Sequence, residues 1–173
     1  MKNAHVPIFG FAAPSGTGKT TLLTLLIPFL KMQSLRIGLI KHSHHNFQID
    51  KPGKDSFRLR EAGATPVMLV SSHRRAIITE FSNPQEPNLD EQLAHFDQSE
   101  LDLILVEGFK KENFPKIELH RPSLNLPLFY PQDNSIIAVA SDQPIELEKN
   151  IPLLDLNSID NIAAFILQQI AHD

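Results

Sequence analysis

The chain reads as an α/β protein: a three-layer sandwich on a mostly parallel sheet, extended by an antiparallel hairpin. Three observations predict this. Short apolar runs alternate with amphipathic stretches of helical period. The first apolar run passes through a glycine-containing turn directly into a helix pattern. Two strand-like runs in the middle of the chain are joined by a connection short enough to demand a hairpin.

The elements follow in order. Val6 to Ala12 is a buried strand, and a helix pattern runs from Lys19 to Met32. Pro28 lies inside that pattern, where it should kink or shorten the helix. Leu35 to Ile40 is a second strand, followed by a polar loop over 41–54 with Pro52-Gly53. Asp55 to Ala62 is a short helix closed by Gly63. Pro66 to Ser71 and Arg74 to Phe81 form the hairpin, expected to join the edge of the sheet. Asn88 caps the next helix with Glu91 three residues on, and Leu89, Leu93 and Phe96 face the core. Leu101 to Val106 is a nearly unbroken apolar run, hence a buried strand. Lys116 to His120 alternates with period two and predicts a half-exposed strand. Ile136 to Ala140 and Leu153 to Leu156 are short strands. Ser158 caps a last helix whose stripe is Ile159, Ile162, Ala163, Ile166, Leu167 and Ile170. The stretch 121–134, with three prolines, predicts no regular element.

A length of 173 residues fits one domain spanning 1–173. A net charge of −4 gives no electrostatic footprint for nucleic acid or an anionic membrane. The absence of cysteine excludes disulfides, iron–sulfur clusters, thiolate zinc sites and a cysteine nucleophile. No apolar run approaches the roughly 20 residues that span a bilayer. The first residues lack the pattern of a signal peptide, so cytoplasm is the expected location.

The turn after the first strand carries the chemistry. Ala13-Pro14-Ser15-Gly16-Thr17-Gly18-Lys19-Thr20 matches the phosphate-binding pattern G-x-x-x-x-G-K-[ST], in its required place between strand and helix. Gly16 and Gly18 let successive N–H groups point at phosphate oxygens, and the helix start adds partial positive charge. Lys19 is placed to reach the β- and γ-phosphates, and Thr20 to ligate Mg²⁺. Ser15, Thr17 and Thr21 supplement the cradle. Ala13 departs from the pattern, since it replaces the first glycine and requires a negative φ there.

Glu107 ends the apolar strand at the position from which a carboxylate holds Mg²⁺. Asp102 lies roughly 16 Å back along an extended strand, on the opposite rim. Lys41-His42-Ser43-His44-His45 follows the second strand at the ligand-binding edge of the sheet. Lys41 and His42 are candidates for phosphate or a second anion; His42, His44 and His45 are alternatively a metal loop, or the stretch is solvated. Asp142, just past the strand Ile136 to Ala140, is a candidate acceptor for a guanine edge or an ordinary turn acid.

Taken together, these stretches resemble a known family. The segments 11–23, Gly38 to His45, Asp50 to Ser56, Leu101 to Lys110 and Ile137 to Asp142 are similar to the MobB family of molybdopterin-guanine dinucleotide biosynthesis adapters. The resemblance implies a P-loop fold that binds GTP with Mg²⁺ and hydrolyses it slowly. It further implies a homodimer joined by strand pairing, with the hairpin 66–81 and the region 115–135 as the expected dimerisation elements. The implied partner is the guanylyltransferase that attaches GMP to molybdopterin, with molybdopterin itself a further candidate ligand. Ala13 is compatible with the family, and Thr20 and Glu107 stay the magnesium candidates. Two other readings remain open: a small-molecule kinase drawing on Arg58, Arg60, Arg74 and Arg75, and GTP-dependent metal delivery through the histidine loop.

Overall fold

The computed structural model describes residues 1–43 and 47–171. In chain order the elements are β1 Ile8–Ala12, α1 Lys19–Met32, β2 Ile37–Lys41, α2 Asp55–Glu61, β3 Val67–Val70, β4 Arg75–Ile78, α3 Leu89–Ala94, β5 Leu103–Glu107, β6 Lys116–His120, β7 Ile136–Ser141, β8 Leu153–Asp155 and α4 Ile159–Ile170. They fall into two compact units, Met1–His42 with Pro87–Asp173, and Ser43–Glu86.

The larger unit is built on a six-stranded sheet of order β2-β5-β1-β6-β7-β8, parallel throughout. Its strands carry apolar residues on both faces, as covered parallel strands do. Phe9, Phe11, Leu103, Leu105, Ile117 and Leu119 meet Leu22, Leu26 and Leu30 of α1 and Ile162 and Ile166 of α4 in one core. On the other face Ile8, Ile104 and Val106 pack with Leu89 and Leu93 of α3. The layers are therefore helix, sheet and helix, the fold class the alternation of runs predicts. Asn88 caps α3 by accepting from the Glu91 amide, and Ser158 caps α4 from Asn161. Pro28 does not shorten α1, which continues to Met32 with Leu26 and Leu30 both buried; packing outweighs the roughly 3 kcal/mol that an interior proline costs.

Two expectations need correction. The hairpin β3–β4 forms a two-stranded sheet of its own rather than an addition to the parallel sheet. Its ladder is satisfied between its own two strands, and β3 alternates between half-buried and exposed residues, with Met68 and Val70 exposed. The second correction concerns β6, which is buried, not half-exposed: Lys116 and Glu118 are each 1% exposed. Period-two alternation does put the polar residues on one face, but the stretch 121–134 lies over that face. Glu118 accepts from the amides of Phe129 (2.7 Å) and Tyr130 (2.8 Å). Lys116 donates to the carbonyls of Lys110 (3.0 Å) and Glu112 (2.7 Å) and pairs with Asp133 (2.9 Å). Burial pushes the Glu118 carboxyl up, against the pull of its two amide donors.

Candidate functional site

The carboxyl ends of the parallel strands gather the polar candidates. β1 ends at Ala12 and α1 begins at Lys19, so the connection must reverse within a few residues. Gly16 at φ 81° and Gly18 at φ 104° make that possible, since side-chain-bearing residues are strained there. Ala13 is not among the residues with positive φ and is fully buried, so alanine replaces the first glycine without strain. Gly18 is the N-cap of α1 and supplies no side-chain cap, which leaves the first-turn amides of the helix free for an anion.

Ser15, Gly16, Gly18, Lys19, Thr20, Thr21 and Glu107 line one cleft of about 320 Å³. Six of the seven belong to the glycine turn and the start of α1. The seventh arrives because β5 pairs with β1 in a register that sets Glu107 opposite Phe11. The Lys19 ammonium donates to the carbonyls of Ala13 (2.8 Å) and Pro14 (3.0 Å). Burial, then the neighbouring Lys110 and Lys41 ammonium groups, hold Lys19 below the usual lysine range, with Glu107 opposing. A cluster of cations that disfavour one another's charge is a place where a polyanion is favoured. Thr17 is buried, and its hydroxyl donates to the Pro14 carbonyl (3.0 Å), so it shapes the turn instead of facing the cleft.

Lys41 sits at the rim of this cleft, with its ammonium 3.2 Å from Glu107. The next amide, that of His42, donates to the Glu107 carbonyl (2.8 Å), and the His42 ring lies 4.9 Å from that of Phe109. His44 and His45 lie outside the described residues, and among the described residues no group of three or more His, Cys, Asp or Glu could hold a metal ion. Of the arginines considered for a kinase, Arg60 is tied to Glu80 within the smaller unit. Asp102 lies on the far rim, as strand length predicts, and is held by Arg36.

Asp142 does not line the cleft at the glycine turn. It borders a second cavity of about 380 Å³ at the ends of β7 and β8. Its Oδ2 accepts from Arg121 at 2.6 Å. Arg121 also donates through Nε to the Thr17 carbonyl (2.9 Å), inside the glycine turn. The sequence offers no arginine beside the glycine turn, yet Arg121 lies there. Its one signal is its place directly after β6, at the same sheet edge.

Comparison with known proteins gives the family. The family model for MobB, molybdopterin guanine dinucleotide synthesis protein B, matches residues 8–142. The chain is 47% identical to the molybdopterin-guanine dinucleotide biosynthesis adapter protein of Haemophilus influenzae, covering 98% of this chain and 93% of that one. It is also 47% identical to the protein of the same name from Escherichia coli, over 94% of this chain and 93% of that one. Among solved structures, a molybdopterin-guanine biosynthesis protein B matches with a TM-score of 0.74 at 26% identity, over 95% of this chain and 99% of the other. A MobB homologue from Bacillus stearothermophilus shares the fold, with a TM-score of 0.70 at 21% identity over 96% of this chain and 99% of the other. A family model that spans most of the chain and relatives identical at nearly half of all positions leave one conclusion: the chain belongs to the MobB family.

Proposed function

We propose that the chain is a GTP-binding adapter that assists the guanylyltransferase step forming the guanine dinucleotide form of the molybdenum cofactor. The observation that carries this reading is the cleft in which the glycine turn, Lys19, Thr20 and Glu107 meet. The adapter role rests on the names borne by the Haemophilus influenzae and Escherichia coli relatives. Ser15, Gly16, Gly18 and Thr21 line the phosphate side, and Lys19 turns from the loop carbonyls to the phosphates. The Thr20 hydroxyl and the Glu107 carboxylate are hard oxygen donors on one cleft, a set that suits Mg²⁺. When bound, Mg²⁺ neutralises charge on the phosphoryl oxygens. Hydrolysis is slow on this reading. Arg121 beside the loop is engaged by Asp142 and the Thr17 carbonyl, and among the described residues lining the cleft there is no glutamine or histidine to orient an attacking water.

The partner is the guanylyltransferase, with molybdopterin as a further ligand and a homodimer as the assembly. The exposed apolar residues Met68, Val70 and Ile77 of the hairpin support strand pairing between copies. Both edges of β6 are hydrogen-bonded within the chain, so in the region 115–135 the surface for a partner lies beyond His120. The charge of −4 argues against nucleic acid. Among the described residues no helix is long and apolar enough to cross a membrane, in keeping with a cytoplasmic place.

The test is competition of GTP, ATP and molybdopterin against a fluorescent GTP analogue, with and without Mg²⁺, together with stimulation of the guanylyltransferase. Lys19→Ala should keep the fold and lose about 100-fold in triphosphate affinity, about 2.8 kcal/mol. Equal affinity in that variant removes the basis of the reading.

A further inference from the structure

The chain leaves the larger unit after His42 and returns to it at Pro87. Both crossings are tied to the same stretch, residues 107–112, which leads out of β5. At the first crossing the His42 amide donates to the Glu107 carbonyl (2.8 Å), and the His42 ring lies 4.9 Å from that of Phe109. At the second, the Asn88 side-chain amide (3.2 Å) and the Leu89 main-chain amide (3.3 Å) both donate to Oε1 of Glu112. The stretch between is braced from within: the Glu112 amide donates to the Phe109 carbonyl (3.0 Å), and Lys116 holds the carbonyls of Lys110 and Glu112. Phe109 sits at φ 51°, a left-handed conformation that a side-chain-bearing residue keeps only where its surroundings enforce it.

The two crossings differ in what stands behind them. The partners of Glu112 open α3, whose Leu89 and Leu93 are buried in the core. Behind the first crossing stands an ion pair at the ligand edge of the sheet. Lys41, the residue before His42, lies 3.2 Å from Glu107, and that carboxylate lines the cleft at the glycine turn. A pair with more than half of its lysine in water is easily exchanged for other partners.

We propose that the smaller unit hangs on one switched and one fixed tether, with the Lys41–Glu107 pair as the switch and Glu112 as the positioning residue of the fixed one. The inference rests on the nucleotide-binding reading above and adds a route by which the state of the cleft reaches the smaller unit. While the pair is formed, Lys41 and the His42 amide both hold the end of β2 to the start of the stretch 107–112. With Mg²⁺ and a triphosphate in the cleft, the Glu107 carboxylate has a stronger partner than Lys41, and the Lys41 ammonium has the phosphates. The pair then opens, because the open arrangement binds that ligand better than the paired one. The first tether keeps the His42 amide bond and loses the ion pair. The second does not follow: Glu112 stays bonded to the start of α3, and Lys116 keeps the carbonyls on either side in place.

The experiment follows amide hydrogen exchange by NMR at His42 and Leu89 in the full chain. The chain is measured alone, with the non-hydrolysable imido analogue of GTP in EDTA, and with the same analogue in Mg²⁺. Binding of the analogue is measured in parallel by displacement of a fluorescent GTP. In the unaltered protein, analogue and Mg²⁺ together should speed exchange at His42 about two- to fivefold, the size that an exposed pair allows, and leave Leu89 as it was. Lys41→Met removes the switch, so exchange at His42 should be fast from the start and indifferent to the ligand. Glu112→Ala should make Leu89 follow the ligand, which loss of a merely structural contact would not do. Glu112→Gln keeps an oxygen acceptor and should restore that indifference. The proposal is overturned if bound analogue leaves His42 unchanged, if Lys41→Met still responds, or if Leu89 moves with His42 in the unaltered chain; nucleotide binding then stands. If Glu112→Ala raises exchange at Leu89 equally with and without ligand, Glu112 is a structural contact only and the fixed tether falls. If the analogue does not bind the unaltered protein, the proposal and the nucleotide-binding reading fall together.

Discussion

Lys116–Asp133 and Arg36–Asp102 are salt bridges of the same length, 2.9 Å, on opposite terms with the solvent. The Lys116 side chain is 2% exposed and that of Arg36 is 52% exposed. Lys116 is also bonded to two backbone carbonyls that belong to the connection between β5 and β6. Among the described residues the Arg36 guanidinium bonds to carboxylates, those of Asp102 and Glu100. Water can replace every partner of Arg36 and few of those of Lys116. Separation alone therefore ranks neither pair; burial and the number of partners left stranded decide. Lys41–Glu107, at 54% and 14% exposure, stands between them, and its carboxylate lines the cleft at the glycine turn.

The largest effect should follow from the buried pair. Lys116→Met keeps much of the side-chain volume and removes the ammonium, leaving the carbonyls of Lys110 and Glu112 without their donor and Asp133 without its cation. Asp133 is held below its ordinary value even though burial pushes it up, because hydrogen bonds from Ser135 and Lys116 outweigh that push. The loss should be about 3–5 kcal/mol in urea denaturation, the range for breaking a buried pair from one side. Because Lys110 follows from the same connection and lies near Lys19, nucleotide affinity should fall with it. A loss within the range of a surface pair would show that Lys116 is hydrated after all and that the comparison has no force.

The strand β6 also shows where a sequence stops being legible. Its period of two was visible, and so was the division of Ile117 and Leu119 from Lys116 and Glu118. What covers the polar face was not, because the cover is a proline-rich stretch with no periodicity of its own. The strand β5 reads correctly since nearly every residue in it is apolar and both faces must be covered. The turn between β1 and α1 was legible because its signal is local: glycines, lysine and threonine at fixed spacing between a strand and a helix. Asp102 and Glu107 separate into opposite rims from strand rise alone. Arg121 was illegible for the opposite reason, being a single residue whose partners, Thr17 and Asp142, are 104 and 21 positions away. The hairpin was legible as two antiparallel strands, but sequence does not say which sheet a short strand joins.

The cleft pair gives the intermediate prediction. As an ion pair, Lys41–Glu107 is worth on the order of 0–1 kcal/mol, because more than half of the lysine is in water. If Glu107 is there for Mg²⁺, its loss should be felt in binding rather than in stability. Glu107→Gln should reduce the Mg²⁺-dependent part of GTP affinity about tenfold, about 1.4 kcal/mol, with little change in melting. Lys41→Met sharpens the case. It frees the carboxylate, so the Mg²⁺ requirement should be met at equal or lower concentration of the ion. Identical titrations for the two variants would mean that Glu107 serves Lys41 and not a metal.

The smallest effect belongs to the exposed pair, and its signature is its dependence on pH. Arg36 holds the Asp102 carboxyl at about 2, below an ordinary 3.8, first through its side-chain hydrogen bond and then through its backbone amide. A depressed carboxyl favours the folded state while it is ionised. That contribution is complete above the unfolded value near 3.8 and is lost as pH falls through about 2. Unfolding curves for Arg36→Ala and the unaltered chain should thus lie slightly apart at neutral pH, approach each other between these two values and coincide below them. The gap at neutral pH should also narrow in molar salt, since solvent ions reach both partners. A gap at neutral pH as wide as that of Lys116→Met, or one that salt leaves untouched, would mean that the amino-terminal rim of the sheet is shielded from water in solution, and the contrast between the two pairs would then have to rest on partner number alone.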